Sequence, residues 1–194
     1  MTADEAATTA LQALVAALDT LGAPAMIIGG IAVIARGVPR TTLDIDATIW
    51  RPALDIGHAV DVLQSHGIAP RIDDAVAFAR EHQVLLLRHE ASGTPIDLTL
   101  AWLPFEQEAL ARATRVDLGN VSPAVALPED LIVYKAVAWR DQDRADIERL
   151  LRLHHSGIDF KRVRRLVAEF ADALDAPERV AEFEALLARI TPPA

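Results

Sequence analysis

A pair of adjacent glycines, Gly29-Gly30, is followed in this chain by two aspartates that flank one apolar residue, Asp44-Ile45-Asp46. In an extended segment, side chains two positions apart lie on the same face, so Asp44 and Asp46 are predicted to share one metal ion. The glycines follow the apolar run 26–28, and glycine lets the backbone approach a ligand closely. Their amides can face phosphate oxygens where the next helix begins. The segment therefore predicts a site for a magnesium-bound nucleoside triphosphate.

The hydrophobic pattern around this segment predicts alternating helices and strands. We expect strands at 25–28, 43–50, 83–89 and 95–101, with further strand in 114–126 around Gly119-Asn120. Helices are expected at 5–21, 30–36, 53–64, 73–80, 105–112, 128–139, 142–154, 159–174 and 178–190. This order predicts an α/β (α+β) fold, in which a small mixed sheet is flanked by helices and followed by a C-terminal helical bundle. We expect a catalytic domain at 1–126 and a helical region at 127–194 packed on it.

Composition excludes several classes of protein. The chain has 194 residues, no cysteine and a formal net charge of −9, so neither disulfides nor thiolate metal sites can form. The acidic balance argues against broad affinity for nucleic acid, which depends on neutralising phosphates. The start of the chain lacks the pattern of a signal peptide, and no apolar stretch is long enough to cross a bilayer. We expect a cytoplasmic protein with no membrane partner.

A third acid is predicted at Asp97. Within the strand 95–101, alternate residues fall on one face and are apolar, while Asp97 and Thr99 fall on the other. A carboxylate in an apolar strand is costly unless it is paired or binds a metal. Asp97 is therefore a candidate third ligand beside Asp44 and Asp46, and the alternative is a strand with one solvated face.

Two separated signatures resemble the polymerase-beta-like nucleotidyltransferases. The first is the glycine pair followed by the two acids, preceded here by the lead-in Arg40-Thr41-Thr42. This lead-in resembles the branch that includes the AbiEii-type toxins of bacterial toxin-antitoxin systems. The second is the segment 128–147, in which a helical lysine, Lys135, precedes an arginine and two aspartates. Many relatives have serine where this chain has Gly30, so the phosphate contact of that hydroxyl is absent.

The resemblance implies roles for particular residues. Asp44, Asp46 and Asp97 would be catalytic and would bind one or two magnesium ions. Lys135 would also be catalytic, through a contact with the triphosphate. The remaining nucleotide-binding candidates are Gly29, Gly30, Arg40, Thr41, Thr42, Arg140, Asp143 and Asp146. For Arg40 a structural role as a loop arginine is as reasonable. Asp143 and Asp146 are three apart on one helix face, so they are also expected to orient Lys135 and Arg140.

The resemblance also implies three possible functions. The first is transfer of a nucleoside monophosphate to RNA, plausibly the 3′ end of tRNA, or to a protein, by a toxin with a cognate antitoxin. The second is the same chemistry on a cationic small molecule of the aminoglycoside type, which an acidic acceptor pocket would favour and with which the net charge of −9 is compatible. The third is a non-catalytic nucleotide-binding module. The basic run 161–165 is a candidate RNA contact, although a solvated helix face is the favoured interpretation.

Overall fold

The computed structural model describes residues 2–190, and it divides into two compact units. The first contains residues up to 35 together with 40–126, and the second contains 36–39 together with residues from 127 onward. The first unit holds every strand of the sheet, whereas the regular elements of the second are all helical.

The first unit contains both strands and helices, and the regular elements of the second unit are helices. The strands are β1 (Ala25–Ile28), β2 (Ile45–Trp50), β3 (Ile68–Pro70), β4 (Val84–His89), β5 (Pro95–Ala101), β6 (Thr114–Arg115) and β7 (Ala124–Val125). The helices of the first unit are α1 (Ala3–Leu21), α2 (Gly29–Ala35), α3 (Ile56–Ser65), α4 (Ala75–His82) and α5 (Pro104–Arg112). Those of the second unit are α6 (Pro128–Ala138), α7 (Asp141–His154), α8 (Phe160–Ala173) and α9 (Glu178–Ile190).

The seven strands form one mixed sheet in the order β3-β4-β5-β2-β1-β7-β6. The central strand β2 runs parallel to β5 and antiparallel to β1, and β4 and β5 form the predicted antiparallel hairpin. Alternate residues of β2 and β5 are fully buried, with Ile45, Ala47, Ile96 and Leu98 each 0% exposed. This alternation leaves the other face of the two strands available to polar side chains. The predicted small mixed sheet flanked by helices is confirmed.

Helix α1 has clear signals at both ends. The Thr2 backbone N–H donates to Glu5 Oε2 at 2.7 Å, and the Glu5 N–H donates to the Thr2 hydroxyl at 3.3 Å, which is a capping box. The helix ends at Gly22, whose φ of 67° is the left-handed conformation favoured by glycine. Leu11, Leu14 and Leu18 are buried on one side of this helix.

The second unit is built around α6, which packs against both α7 and α8. Its residues Leu131, Ile132 and Val133 are 0% exposed. Two hydrogen bonds join the beginning of α6 to the beginning of α8. Arg162 Nη1 donates to Asp130 at 2.6 Å, and the Asp159 N–H donates to Glu129 at 2.8 Å. The segment 36–39 belongs to this unit, where His154 Nε2 donates to the carbonyl of Arg36 at 2.8 Å.

The structure departs from the predicted strands at two places, β3 and the start of β2. Strand β3 was not expected, because three residues that end in proline carry too little pattern to predict a strand. The further strand expected in 114–126 around Gly119-Asn120 is present as β6 and β7, which flank a turn where Gly119 has a φ of 88°. Strand β2 begins at Ile45 rather than at Leu43, which leaves Asp44 outside it.

No helix in the part of the chain that the structure describes is long and apolar enough to cross a membrane.

Candidate active site

Two of the predicted acids lie side by side on adjacent strands. Asp46 of β2 and Asp97 of β5 are direct partners in the parallel register, and Ile28 at the end of β1 pairs with Asp46 from the other side. Both aspartates are half-buried, while their neighbours along the strands are fully buried. Neighbouring strands lie about 4.8 Å apart, so the two carboxylates share one small region of the sheet.

Asp44 reaches the same region from a bend rather than from the strand. The prediction that Asp44 and Asp46 alternate along one extended segment was wrong, because β2 begins at Ile45. The Thr42 hydroxyl donates to Asp44 Oδ1 at 2.7 Å, which fixes the carboxylate in the bend. Local hydrogen bonds of this kind compete with extended structure. Asp44 is exposed.

Gly29 stands against the Asp46 side chain. A Cβ atom at this position would meet the Asp46 carboxylate, with Asp46 Cγ only 2.5 Å away. Gly29 also has a φ of 62°, which L residues with side chains rarely adopt. Both facts require glycine where β1 passes into α2, and they bring the backbone directly onto a candidate metal ligand.

Gly30 leaves room for the threonine of the lead-in. A Cβ atom at Gly30 would lie 2.5 Å from Thr42 Oγ1 and 3.2 Å from Arg40 Cζ. Side-chain atoms of the segment 40–42 thus take the space that a serine would need in place of Gly30. Arg40 Nε donates to the carbonyl of Thr41 at 3.2 Å, and Thr41 is exposed.

Asp97 is paired with an arginine that the sequence did not single out. Arg71 Nη2 donates to Asp97 Oδ1 in a short ion pair, with the side chains 27% and 39% exposed. Burial raises the pKa of Asp97 above its ordinary value, Arg71 opposes this change, and the charge of Asp44 adds to it. Arg71 follows the unpredicted strand β3, so no pattern connected it with Asp97.

The predicted three-carboxylate cluster is not assembled in this structure. Among residues 2–190, no group of three or more His, Cys, Asp or Glu side chains is gathered closely enough to hold a metal ion. The contacts explain this finding, because Asp97 is held by Arg71 and Asp44 is held by Thr42. Metal binding by Asp44, Asp46 and Asp97 stays a prediction.

The candidates of the second unit form a buried ionic cluster. Lys135 Nζ lies 3.2 Å from Asp143 Oδ1 and 2.8 Å from Asp146 Oδ2. These side chains are 8%, 3% and 0% exposed, and Gln142 donates to Asp146 at 3.0 Å. The Lys135 charge is already balanced inside the unit, so a contact with a triphosphate stays a prediction.

Arg140 completes the cluster from its exposed edge. Its backbone N–H and Nε donate to Asp143 Oδ2 at 3.1 and 2.8 Å, while its side chain is 78% exposed. Burial raises the pKa of Asp143, but the hydrogen bonds from Arg140 and the charge of Lys135 outweigh it and hold the pKa below its ordinary value. Asp143 therefore remains ionised inside the protein.

The structure thus brings the predicted residues together in two groups. Gly29, Gly30, Arg40, Thr42, Asp44, Asp46 and Asp97 meet at one region of the first unit, whereas Lys135, Arg140, Asp143 and Asp146 meet within the second. Arg71 belongs to the first group.

Solved structures resemble this fold. The solution structure of the antibiotic-resistance factor ANT(2″)-Ia is 20% identical, with a TM-score of 0.60, and the match covers 94% of this chain and 100% of that one. The crystal structure of ANT(2″)-Ia in complex with adenylyl-2″-tobramycin is also 20% identical, with a TM-score of 0.56 and coverage of 84% and 96%. At this identity the likeness shows the fold.

No curated protein sequence matches the chain significantly. A family model described as "nucleotidyl transferase of unknown function (DUF2204)" matches residues 7–180, which is most of the chain. The match spans the glycine pair, the three aspartates and the lysine cluster. The chain therefore belongs to this nucleotidyltransferase family.

Proposed function

We propose that this protein transfers a nucleoside monophosphate from a magnesium-bound nucleoside triphosphate to a hydroxyl group of an acceptor. The observation that carries the proposal is the register of Asp46 against Asp97, with Gly29 packed on Asp46. Membership of a nucleotidyltransferase family supports the reaction class, and such enzymes generally use divalent metal ions.

The reaction requires one bond to form and one to break. The acceptor oxygen attacks the α-phosphorus, the bond from that phosphorus to the bridging oxygen breaks, and pyrophosphate leaves with the electron pair. The hydroxyl proton needs a base, and Asp97 is our candidate, because its carboxylate lies beside Asp46 in the register of the two strands. Thr42 would hold Asp44 in position through its hydroxyl.

The residues at the sheet fit a hard divalent cation. Asp44 and Asp46 offer carboxylate oxygens, which magnesium prefers, and the lack of a Cβ atom at Gly29 lets the Asp46 carboxylate lie against the backbone where α2 begins. Magnesium bound there would neutralise charge on the phosphate oxygens. Two carboxylates are sufficient for such a site, since magnesium usually keeps several waters and takes substrate oxygens as well.

For the second unit we propose separate roles within the cluster. Lys135 is 8% exposed and contacts two carboxylates, so we assign it to holding Asp143 and Asp146 in place. Arg140 has a 78% exposed side chain, and arginine recognises phosphate through several parallel donors. Nucleotide binding by Arg140 stays a prediction.

The ion pairs of α8 favour a cationic small molecule over RNA as the acceptor. Within the basic run 161–165, Arg164 donates to Glu184 at 2.7 Å, Arg165 donates to Glu169 at 2.8 Å, and Arg162 pairs with Asp130. These contacts reduce the charge available to an RNA backbone. The net charge of −9 attracts cations, and the fold neighbour ANT(2″)-Ia was solved with adenylyl-2″-tobramycin. We propose an aminoglycoside-like acceptor.

A second candidate is the toxin function implied by the resemblance to the AbiEii-type branch. The observation behind this candidate is the sequence segment 128–147, in which Lys135 precedes Arg140, Asp143 and Asp146. In this case the acceptor would be the 3′ end of tRNA or a protein, and a cognate antitoxin would bind the enzyme. A non-catalytic nucleotide-binding module is the third candidate.

A labelled-transfer experiment distinguishes these candidates. The protein is incubated with each α-labelled nucleoside triphosphate and magnesium, and in parallel with a panel of aminoglycosides, with total tRNA or with cell protein. Label on an aminoglycoside supports the first proposal, and label on tRNA or protein supports the toxin. The matched variant Asp46→Asn keeps the size of the side chain and must abolish the transfer. Nucleotide binding without transfer to any acceptor would leave only the third candidate.

A further inference from the structure

Arg71 is held opposite Asp97 by the backbone of the sheet. It is the first residue after β3, and its backbone N–H donates to the carbonyl of Leu86 at 3.0 Å. Leu86 is in turn the register partner of Asp97 on β5. The pairing of β4 with β5 thus places Arg71 beside the acid, so the ion pair is built into the strand register rather than formed by a loose surface chain.

The Arg71 guanidinium places a positive charge beside Asp97, where a bound cation would otherwise lie. Asp44, Asp46 and Asp97 bring three negative charges to one region, and Arg71 returns one positive charge directly at Asp97. The side chains of the pair are 27% and 39% exposed, so water only partly screens the interaction. The guanidinium donates to Asp97 through Nη2.

The Arg71 guanidinium can move away from Asp97 while the backbone of the residue stays hydrogen-bonded to the sheet. The contact at Asp97 uses one of its five N–H donors, and the same group binds phosphate oxygens well through a planar fork. A divalent ion at Asp97 and the guanidinium compete for the same carboxylate oxygens. Once displaced, the guanidinium lies close to the region where the candidate ligands would hold a triphosphate.

We propose that the Arg71 guanidinium occupies the cation position at Asp97 and that a divalent metal ion displaces it. The released guanidinium then binds phosphate oxygens of the nucleotide. The inference rests on the proposed function, because it takes the metal and the triphosphate as the ligands of this site. It assigns a phosphate-binding role to Arg71 and makes Asp97 available only when a divalent ion has displaced the guanidinium. Arg71 acts here as a positioning residue for Asp97 and as a ligand of the substrate.

The first test measures binding of Mn²⁺ to the full chain without nucleotide, by calorimetry. Arg71→Ala should bind Mn²⁺ about three- to tenfold more tightly than the unmodified protein, because the competing charge is gone. Arg71→Lys, which keeps the charge, should stay close to the unmodified protein. Arg88→Ala removes the same charge from an exposed position of β4 and should change nothing. Arg71→Ala combined with Asp97→Asn should lose the gain.

The second test measures binding of a non-hydrolysable triphosphate with magnesium. Arg71→Ala should weaken this binding about threefold or more, through loss of a phosphate contact. Opposite changes in the two affinities separate this role from a structural one, which would move both in the same direction. Unchanged or weaker Mn²⁺ binding in Arg71→Ala would overturn the proposal, and so would unchanged triphosphate binding. If both shifts occur without any labelled transfer, the inference stands and the proposed reaction fails.

Discussion

Asp46 on β2 and Asp97 on β5 are direct register partners in a parallel pair of strands, with fully buried residues on either side of each along the chain. Parallel pairing aligns two carboxylates at the same height in the sheet, where their mutual repulsion must be offset. Arg71 offsets it at Asp97. Two half-buried carboxylates side by side cost free energy unless cations bind them. The strand pairing therefore favours a site for a metal-bound nucleotide.

The contact of Gly29 with Asp46 predicts that Gly29→Ala lowers the free energy of unfolding. The substitution places a side chain at a φ of 62° and drives a Cβ atom into the Asp46 carboxylate. Gly93→Ala is the matched control, since its φ is 73° and nothing lies within 4 Å of its Cβ position. Both variants should lose about 1 kcal/mol from the strained backbone, and Gly29→Ala should lose more because of the clash. Urea unfolding measures the difference, and equal losses would contradict the contact.

The packing of Thr42 against Gly30 predicts that serine is not tolerated at this position. Gly30→Ser should lower the free energy of unfolding by about 1 to 3 kcal/mol, because its Cβ atom would lie 2.5 Å from Thr42 Oγ1 and 2.8 Å from Thr42 Cβ. Thr42→Gly in the same chain should recover part of this loss, as contacting residues show coupling in a double-mutant cycle. Additive effects of the two changes in urea unfolding would show that the side chains do not compete for space.

The buried cluster predicts that Lys135 is critical for stability. Lys135→Met would leave Asp143 and Asp146 buried without their ammonium partner, which should cost about 3 to 5 kcal/mol. The chain offers one matched control, because Lys161 is its only other lysine and is exposed on α8. Lys161→Met should change the free energy of unfolding by no more than about 0.5 kcal/mol. Similar small losses in both variants would refute the buried contact.

The lowered pKa of Asp143 predicts a stability that depends on pH. A carboxyl group whose pKa is lower in the folded state stabilises the protein above its ordinary value, and this contribution is lost as the pH falls through the folded pKa. The difference in unfolding free energy between the unmodified protein and Asp143→Asn should therefore shrink from about pH 6 to about pH 3. Asp172→Asn, at an exposed position of α8, serves as the control. A difference that stays constant with pH would contradict the ionic contacts of Asp143.

The sequence predicted the elements that carry strong patterns. Strand β1 was expected at the residues where it occurs, because an apolar run there lies between Pro24 and the glycine pair. Asp44 was misplaced, since a hydrogen bond from Thr42 decides where β2 begins, and such a bond leaves no periodic signal. The hydrophobic alternation of β5 identified Asp97 as a polar residue on a half-buried strand, and the structure agrees.

The contacts between distant segments were harder to predict. Asp143 and Asp146 were expected to orient Lys135 because their spacing puts them on one helix face, and their oxygens do lie within 3.2 Å of its ammonium. Arg71 was missed because its partner lies 26 residues away across two strand pairings. A three-residue strand ending in proline gives no register from which such a pairing can be inferred.

The central claim is that Asp46 and Asp97 support nucleotidyl transfer. The most direct measurement is the rate of pyrophosphate release from each nucleoside triphosphate, with magnesium and a mixed pool of aminoglycosides, tRNA and cell protein. We predict release by the unmodified protein with at least one nucleotide, and a fall of about 100-fold or more in both Asp46→Asn and Asp97→Asn, with Arg88→Ala unaffected. Release that is the same in all four proteins, or absent from the unmodified protein with every nucleotide, would contradict the account.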